Sequence, residues 1–534
     1  MKRRFRLLLS IIFVLTVLGS LHAQSDNEPE HLFKKLNLPA VTEITTHEIS
    51  AGEFLIPNTG ISAGDLPAFI RVCLTSKPTE KSDIKIEVWL PQEGWNGRFL
   101  GTGNGGLGGS ISYSTLISGL RAGFAVANTD MGTSDKDGLL FSTPERWDDF
   151  GHRSTHEMTV VGKAITEAYY NKKPLFSYFI GCSTGGGQAL MEAQRYPEDY
   201  DGIISGAPAN NRTHIHTSFF WNYRALIDEK NCDCEFTKEQ MQAVTDAIIK
   251  ENAGKDGGAP TDNFLTDPRQ ASFDPHTLSG ILSDGQINIL EKIYKGATNP
   301  VTGELIYTAF PLGSELYGSG LTYKKDIQQF PRGEIYPLMW SWGKDFDFKD
   351  FDFNKDVEKM DKQLAPKLNA NNPDLSVFKR QGGKLLMYTG TADQIVPFQD
   401  AVNYYERVIK EQGNLQNTQD FFLYYLVPGM AHCGGGPGLN DIGQHISKNV
   451  PQSESYNLFI ALIKWVEEGV KPDKIFATAF NDANPQKGVR FIRPVYPYPL
   501  LPIYIGGDPA NPDNYKPEKQ GEGNMKIPAE RYLK

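Results

Sequence analysis

The sequence predicts an α/β fold, in which a parallel sheet carries helices on its faces. Three observations indicate this class. Short apolar runs bounded by turn residues recur in both halves of the chain, helical stretches lie between them, and one run leads through a glycine-flanked serine into a helix. Between the two halves lies a long segment without this alternation, which predicts an inserted second domain.

The first 23 residues are predicted to be a signal peptide. Basic residues precede an apolar run from Leu7 to Leu18, and small and polar residues then lead to Ala23. The run is too short to span a bilayer, and a leader of this kind is removed after export. We therefore expect a periplasmic or extracellular protein.

Removal of the leader makes the protein more acidic. The formal net charge at pH 7 is −10, and the leader carries four basic residues and no acidic one, which leaves −14 on the mature chain. An acidic surface argues against nucleic acid and anionic lipid as partners. We expect neither a nucleic acid nor a membrane partner, and the sequence carries no indication of the oligomeric state.

The first half of the core predicts strands and a helix in alternation. Residues 84–90 alternate apolar and polar side chains, which is the period of a half-buried strand. Apolar runs also open "RFLGTGNGGLGGS" and form most of "GFAVANTD" and "LFSYFIG", and a helix is expected from about His156 to Tyr170. The alternation predicts strands that pair in one sheet, joined by crossover helices.

A change of pattern marks the inserted domain. The alternation stops after "YDGIISGAPA" and resumes at "GKLLMYTGTADQIVP", and the residues between mix helical pieces with loops rich in glycine, proline and aromatic residues. We therefore predict an inserted domain over residues 210–379 and a core built from residues 24–209 and 380–534.

Ser183 is the predicted nucleophile. Residues 181–185, Gly-Cys-Ser-Thr-Gly, fit the pattern G-x-S-x-G between a predicted strand and a predicted helix. Small flanking residues permit the sharp turn that lifts a serine hydroxyl above the sheet at the N-terminus of a helix. The strand-turn-helix context gives this short pattern its specificity.

Asp393 and His432 are the predicted partners of the serine. A serine hydroxyl attacks when an imidazole takes its proton and a carboxylate orients that imidazole. After a nucleophile on such a turn, the acid and then the histidine follow in loops after later strands. "KLLMYTGTAD" and "FFLYYLVPGMAH" place Asp393 and His432 just beyond two successive strands. The rival acid, Asp400, opens the next helix and is better explained as a helix cap.

Ester hydrolysis also needs hydrogen-bond donors for the developing oxyanion. The backbone N–H of Thr184 is the first candidate, because it follows the nucleophile. The second lies in the glycine-rich loop after residues 98–100, at Gly106 or its neighbour Gly105. The alternative of a dinucleotide-binding loop is disfavoured, because the glycine spacing does not give G-x-G-x-x-G before a helix.

The five cysteines include two that flank the predicted catalytic residues. Cys182 precedes Ser183 and Cys433 follows His432, so hydrogen-bond contact between the serine and the histidine brings both thiols close enough for a disulfide. The alternative is two buried thiols that do not meet. Cys232 and Cys234 resemble half of a zinc site without a second half, which favours a loop disulfide or free thiols; the sequence assigns Cys73 no partner.

Three motifs resemble the tannase and feruloyl esterase family, which also includes the enzyme that hydrolyses mono(2-hydroxyethyl) terephthalate. They are "GCSTGGGQ", "GTAD" and "PGMAHCGGGPG", and the similarity extends through "WNGRFLGTGNGGLGGS", "EAQRYPEDYDGIISGAPA" and "RPVYPYP". The resemblance implies an α/β-hydrolase core with a large lid. It also implies a catalytic triad of Ser183, Asp393 and His432, a Cys182–Cys433 disulfide and an oxyanion hole formed by Gly105, Gly106 and Thr184.

The resemblance further implies calcium in the lid, although this chain departs from the family's loop of spaced aspartates. Asp256, Asp262 and the carbonyl of Phe264 are the candidate ligands, but Asp256 is displaced by one position and Gly258 replaces an acid. Calcium takes six to eight oxygen ligands, and few carboxylates are present here. We expect no cofactor for catalysis, with a structural calcium in the lid as the one candidate.

The predicted function is that of an exported serine esterase. The resemblance implies substrates that are esters of aromatic carboxylic acids, feruloyl or galloyl in type, either small or derived from plant polymers. Two alternatives stay open: a catalytically inactive binding protein for aromatic glycoconjugates, and a peptidase of the same fold. Four aromatic residues of the lid are candidates either for binding the acyl group or for the lid's own core: Phe330, Tyr336, Trp340 and Trp342.

Overall fold

The structure is a computed structural model that describes residues 28–134, 143–229, 234–318, 320–325, 336–343, 345–524 and 526–533. The predicted signal peptide, residues 1–23, lies outside these ranges. Within them, no helix combines the length and the apolar character that crossing a membrane requires.

Among the described residues, a nine-stranded mixed sheet forms the centre of the core. Its strands are β1 (Val41–Ile49), β2 (Phe69–Ser76), β3 (Ile84–Pro91), β4 (Arg98–Thr102), β5 (Ala125–Thr129), β6 (Phe176–Cys182), β7 (Gly202–Gly206), β10 (Lys384–Gly390) and β11 (Phe422–Val427). Their order in the sheet is β1-β2-β3-β5-β4-β6-β7-β10-β11. The pairs from β5 to β11 are parallel, and β1, β2 and β3 pair antiparallel.

The predicted parallel sheet is therefore confirmed for six strands and is wrong for the edge formed by β1 to β3. Parallel neighbours need a crossover long enough for a helix, whereas β2 and β3 are joined by a short turn that permits only antiparallel pairing. β11 is buried at all six positions, as expected for a parallel strand whose two faces are both covered.

Helices cover both faces of the sheet and bury a separate apolar cluster on each. The helices of the core are α1 (Glu28–Lys34), α2 (Tyr113–Arg121), α3 (Pro144–Asp148), α4 (Ser154–Tyr170), α5 (Thr184–Arg195), α11 (Ser376–Arg380), α12 (Phe398–Glu411), α13 (Leu415–Gln419) and α14 (Leu458–Glu468). One cluster contains side chains of α4, α5 and α12, and the other contains side chains of α2 and α14.

The inserted segment leaves the sheet after β7 and returns at β10, its neighbour in the sheet, where Gly206 is paired with Tyr388. It builds a third apolar cluster, against which the sulfur-bearing side chains of Cys182 and Cys433 pack. Its elements are α6 (Arg212–Asp228), α7 (Lys238–Asn252), α8 (Asp284–Lys295), α9 (Tyr336–Trp342), α10 (Asp356–Leu368) and a small hairpin of β8 (Ala297–Thr298) and β9 (Leu305–Tyr307). The predicted boundaries at residues 210 and 379 fall within this interval.

Two antiparallel hairpins follow α14 near the end of the chain. β12 (Ile475–Phe480) pairs with β13 (Val489–Val495), and β14 (Leu500–Tyr504) pairs with β15 (Tyr515–Lys519). β13 brings a buried arginine, Arg493, against the inserted segment. The tail thereby connects the core to the insertion.

Candidate active site

Ser183 occupies a sharp turn between β6 and α5. Its backbone angles are φ 64° and ψ −119°, and a residue other than glycine adopts a positive φ of this kind only under strain. The turn is held by the backbone: Ser183 N–H donates to the Gly206 carbonyl at 3.0 Å, and the Ser183 carbonyl accepts from Ala209 N–H at 3.0 Å. A Cβ at Gly181 would collide with the backbone of Gly185, so this close turn requires its glycines.

Asp393 and His432 stand in loops after the neighbouring strands β10 and β11. Asp393 is fully buried, and its Oδ1 accepts hydrogen bonds of 2.9 Å from the backbone N–H groups of Ile395 and Val396. These bonds leave Oδ2 facing His432 Nδ1, at 2.8 Å. Burial lowers the pKa of His432, but the charge and the hydrogen bond of Asp393 outweigh burial and raise that pKa above its ordinary value of 6.5.

A disulfide joins the end of β6 to the loop after β11 and confirms the predicted bridge. The Cα atoms of Cys182 and Cys433 are 5.9 Å apart, so the Cα atoms of the flanking Ser183 and His432 lie within about 13.5 Å of each other. Both of these residues are described, and no hydrogen bond links the Ser183 hydroxyl to the His432 ring; the hydrogen bond of that ring is to Asp393.

Two of the three remaining cysteines lie among the described residues, one of them disulfide-bonded and the other a free thiol. Cys234 is disulfide-bonded and fully buried, which agrees with the expected loop disulfide rather than with zinc. Cys73 is a half-buried free thiol on β2, and burial raises its pKa to about 12. Cys232 lies outside the described residues.

The three predicted oxyanion-hole residues are held together by a side-chain hydrogen bond. Thr184 Oγ1 donates to the Gly106 carbonyl at 2.6 Å, and Gly185 N–H donates to the Asn104 carbonyl at 2.7 Å. Within the described part of the chain, the backbone N–H groups of Gly105 and Gly106 have no hydrogen-bond acceptor. The glycine loop is thus hydrogen-bonded to the N-terminus of α5, while its two N–H groups at Gly105 and Gly106 keep no partner in the described structure.

Arg212 is a residue of this site that the sequence analysis missed. It begins α6 in the inserted segment, is buried, and donates from Nη1 to Thr184 Oγ1 at 3.0 Å. Its guanidinium also lies 5.4 Å from the ring centre of Phe150. Arg212, Thr184 and Gly106 therefore form one hydrogen-bonded relay from the insertion to the glycine loop. The only sequence indication was a charged residue directly after "GIISGAPANN".

The lid aromatics divide into two groups. Tyr336 and Trp340 are buried, 4.5 Å apart between ring centres, and both pack on Phe150. They therefore lie close to Arg212. Trp342 is half-buried and packs instead on Phe351 and beneath the ammonium of Lys359. Phe330 lies outside the described residues.

The rival acid Asp400 does not contact His432. It lies in the first turn of α12 and accepts a hydrogen bond of 3.4 Å from the hydroxyl of buried Tyr307. Burial raises the pKa of Asp400 to about 6. The cap expected from the sequence is absent: no side chain caps the N-terminus of α12 in the described structure, because Asp400 points into the core.

The candidate calcium ligands do not fit a cation. Both carboxylate oxygens of Asp262 accept hydrogen bonds of 2.8 Å from the guanidinium of Arg493. The oxygens of Asp256 accept from the backbone N–H groups of Gly258, Thr266 and Asp267. Phe264 is buried, with its ring near Arg493. Donors already occupy the carboxylate oxygens that calcium would need.

Comparisons with known proteins agree with this geometry. The model of the family "Tannase and feruloyl esterase" matches residues 69–517. The chain is 33% identical over 509 residues to an uncharacterized esterase of Xanthomonas campestris pv. campestris, with 88% of each chain covered. It is 30% identical to a probable feruloyl esterase B-2 of Aspergillus fumigatus, covering 96% of this chain and 99% of that one.

Solved structures support the same assignment. Feruloyl esterase B from Aspergillus oryzae superposes with a TM-score of 0.81 at 28% identity, covering 92% of this chain and 99% of that chain. Tannin acyl hydrolase from Aspergillus niger superposes with a TM-score of 0.73 at 20% identity, covering 93% and 95%, and shares the fold. The predicted α/β-hydrolase fold is thereby confirmed. The chain belongs to the tannase and feruloyl esterase family of carboxylic-ester hydrolases.

Proposed function

We propose that this protein is an exported serine esterase that hydrolyses esters of aromatic carboxylic acids of the feruloyl or galloyl type. The observation that carries the proposal is the 2.8 Å hydrogen bond from His432 to Asp393, held next to Ser183 by the Cys182–Cys433 disulfide. This arrangement supports the roles of nucleophile for Ser183, base for His432 and orienting acid for Asp393.

In the proposed mechanism, Ser183 Oγ attacks the ester carbonyl while His432 Nε2 accepts its proton. Asp393 keeps the proton of His432 on Nδ1 and stabilises the imidazolium that forms. The imidazolium then protonates the leaving alcohol, and an acyl group remains on Ser183. Water, activated by the same imidazole, attacks the acyl-enzyme and releases the acid.

The oxyanion of each tetrahedral intermediate is proposed to bind between α5 and the glycine loop. The backbone N–H of Thr184 and an N–H from Gly105 or Gly106 are the donors. The hydrogen bond from Thr184 Oγ1 to Gly106 fixes the distance between the two groups of donors. Preorganised donors of this kind supply much of the rate enhancement in acyl transfer.

The aromatic acyl group is proposed to contact the aromatic pair formed by Tyr336 and Trp340. The chain's relatives include proteins named feruloyl esterases, and the pair packs on Phe150, which Arg212 links to the nucleophile helix. Tyr336 and Trp340 also contribute to the core of the insertion. Export is inferred from the leader and from the disulfides, which persist in oxidising compartments.

The proposal is tested by the hydrolysis of methyl ferulate and methyl gallate by the purified mature protein, with Ser183→Ala as the blank. We expect turnover of one or both esters that disappears in the blank, and no turnover of the matching amides. Cleavage of the amides at a similar rate would favour a peptidase. Binding of the aromatic acids without turnover of any ester would favour the alternative of a binding protein.

A further inference from the structure

Three side chains of the types that bind metal ions meet at the end of α5 that lies away from Ser183. One ligand atom of each of His156, Glu192 and Asp199 lies within 4.8 Å of the other two. His156 comes from α4, Glu192 from the last turn of α5, and Asp199 from the turn before β7. Together they offer one imidazole nitrogen and two carboxylates.

Glu192 is the member of this cluster that no N–H or hydroxyl group of the described structure stabilises. Its side chain is fully buried, no such group donates to either carboxyl oxygen, and the carboxyl group of Asp199 is its hydrogen-bonding neighbour. Buried carboxylates in proteins are normally hydrogen-bonded or paired with a cation, because burial removes their hydration. Burial, with the negative charge of Asp199 adding to it, raises the pKa of Glu192 well above its ordinary value.

The neighbours of Glu192 supply only part of the missing positive charge. Lys163 attracts Glu192, but its ammonium group donates a hydrogen bond to the backbone carbonyl of Asp199 instead. His156 Nδ1 lies 2.6 Å from Asp199 Oδ2, and its ring is stacked at 3.9 Å on that of Tyr196. The cluster therefore holds two carboxyl groups near one ammonium and one oriented imidazole.

We propose that His156, Glu192 and Asp199 bind a divalent transition-metal ion, and that Zn²⁺ is the preferred ion. The ligand atoms favour Zn²⁺ over calcium and magnesium. Zn²⁺ prefers imidazole nitrogen together with carboxylate oxygen, whereas calcium and magnesium prefer oxygen alone. The side chain of His156 is 29% exposed, which gives the ion a path from solvent.

Zinc binding requires small movements and the release of one proton. Tetrahedral ligands at about 2.0–2.2 Å from Zn²⁺ lie roughly 3.3 Å from each other, so the more distant atoms approach and the His156–Asp199 hydrogen bond opens. His156 then binds through Nδ1 as a neutral imidazole with its proton on Nε2. Glu192 releases its proton to solvent, and a water molecule takes the fourth position.

The site is structural rather than catalytic. Glu192 follows Thr184 by eight residues, so about 12 Å of helix separates the ion from the oxyanion-hole end of α5. A bound ion ties α4, α5 and the turn before β7 together without touching the reacting atoms. We therefore expect zinc to raise the unfolding temperature and to leave ester turnover unchanged, so the inference does not depend on the proposed function.

The test is a calorimetric titration of ZnCl₂ into the tag-free mature chain after removal of metals with a chelator. We expect one Zn²⁺ per chain, and at least about ten-fold weaker binding in Glu192→Gln. Glu198→Gln is the matched control, because it makes the same change on an exposed side chain next to Asp199, and we expect it to retain the wild-type affinity. Co²⁺ in place of Zn²⁺ reports the geometry through its visible absorption.

Two results would overturn the proposal: no stoichiometric zinc site in the wild-type chain, or equal affinities in Glu192→Gln and Glu198→Gln. If Glu192→Gln fails to fold, His156→Gln on the partly exposed side of the cluster takes its place, with the same expected loss. A carboxyl pair that only shares protons with His156 would show neither zinc binding nor a Co²⁺ spectrum.

Discussion

Thr184 Oγ1 lies 2.6 Å from the Gly106 carbonyl oxygen and 3.0 Å from Arg212 Nη1, so one hydroxyl links the nucleophile helix, the glycine loop and the insertion. The Thr184 backbone N–H is the proposed oxyanion donor, and its side chain holds the loop that carries the second donor. The proposed oxyanion hole therefore depends on the Thr184 side chain for its position.

Replacing Thr184 by valine removes this hydroxyl and keeps the shape of the side chain. Loss of a direct oxyanion donor lowers kcat by about 10²–10³-fold. Thr184→Val keeps both donors but removes the hydrogen bond to Gly106 that positions them. We therefore expect kcat to fall by about ten-fold. KM should change little. Thr184→Ser restores the hydroxyl and should restore kcat. A Thr184→Ser variant as slow as Thr184→Val would show that the methyl group matters instead.

Asp393→Asn should lower kcat by about 10⁴-fold while the protein stays folded, because the amide no longer holds the proton of His432 on Nδ1. Steady-state kinetics on methyl ferulate or methyl gallate measure the effect. Asp400→Asn is the control, since Asp400 contacts Tyr307 and not His432. A large loss in Asp400→Asn and a small one in Asp393→Asn would exchange the roles of the two acids.

Activity should fall on the acid side with a midpoint above pH 6.5. His432 acts as a base only when neutral, and Asp393 raises its pKa above that ordinary value. Lowering the pH through this raised pKa protonates the imidazole and removes the base. Asp393→Asn removes the carboxylate that raises the pKa of His432, while the burial that lowers this pKa remains. The midpoint of the residual kcat/KM profile should therefore move to lower pH.

The double variant Cys182→Ala, Cys433→Ala should lower the free energy of unfolding by about 2–5 kcal/mol, because the bridge closes a loop with a sequence separation of 251. Denaturant unfolding of the mature chain measures this difference. Cys73→Ser serves as the comparison, since that thiol is free, and it should unfold close to the wild type. Equal stabilities of all three proteins would contradict the prediction.

Arg493→Leu should destabilise the protein by about 3–5 kcal/mol, because it leaves the carboxylate of Asp262 buried without its partner. Arg490→Leu changes an exposed arginine on the same strand and should cost much less.

Millimolar calcium should not raise the unfolding temperature of the wild type, since the oxygens of Asp256 and Asp262 are already occupied. A calcium-induced rise would show that the ion displaces Arg493.

Ser183, Asp393 and His432 were predictable because each lies in the turn or loop just beyond a strand, so a local pattern in the sequence marks it. The disulfide was predictable because Cys182 and Cys433 are the chain neighbours of Ser183 and His432. The relay from Arg212 and the Asp262–Arg493 pair were not predictable, because they join residues that are distant in sequence and meet only after the insertion and the tail have packed. The antiparallel edge was missed for a different reason: alternation in β3 shows a strand but not the direction of its neighbours.

The adjacency of β7 and β10 has an evolutionary consequence. The insertion leaves and re-enters the sheet at two strands that are hydrogen-bonded to each other, so its ends stay together whatever lies between them. Descendants of one ancestral gene can therefore exchange, lengthen or trim this single continuous segment while the parts of the chain that carry Ser183, Asp393 and His432 are inherited intact. Diversification toward new esters then needs recombination at only two neighbouring junctions.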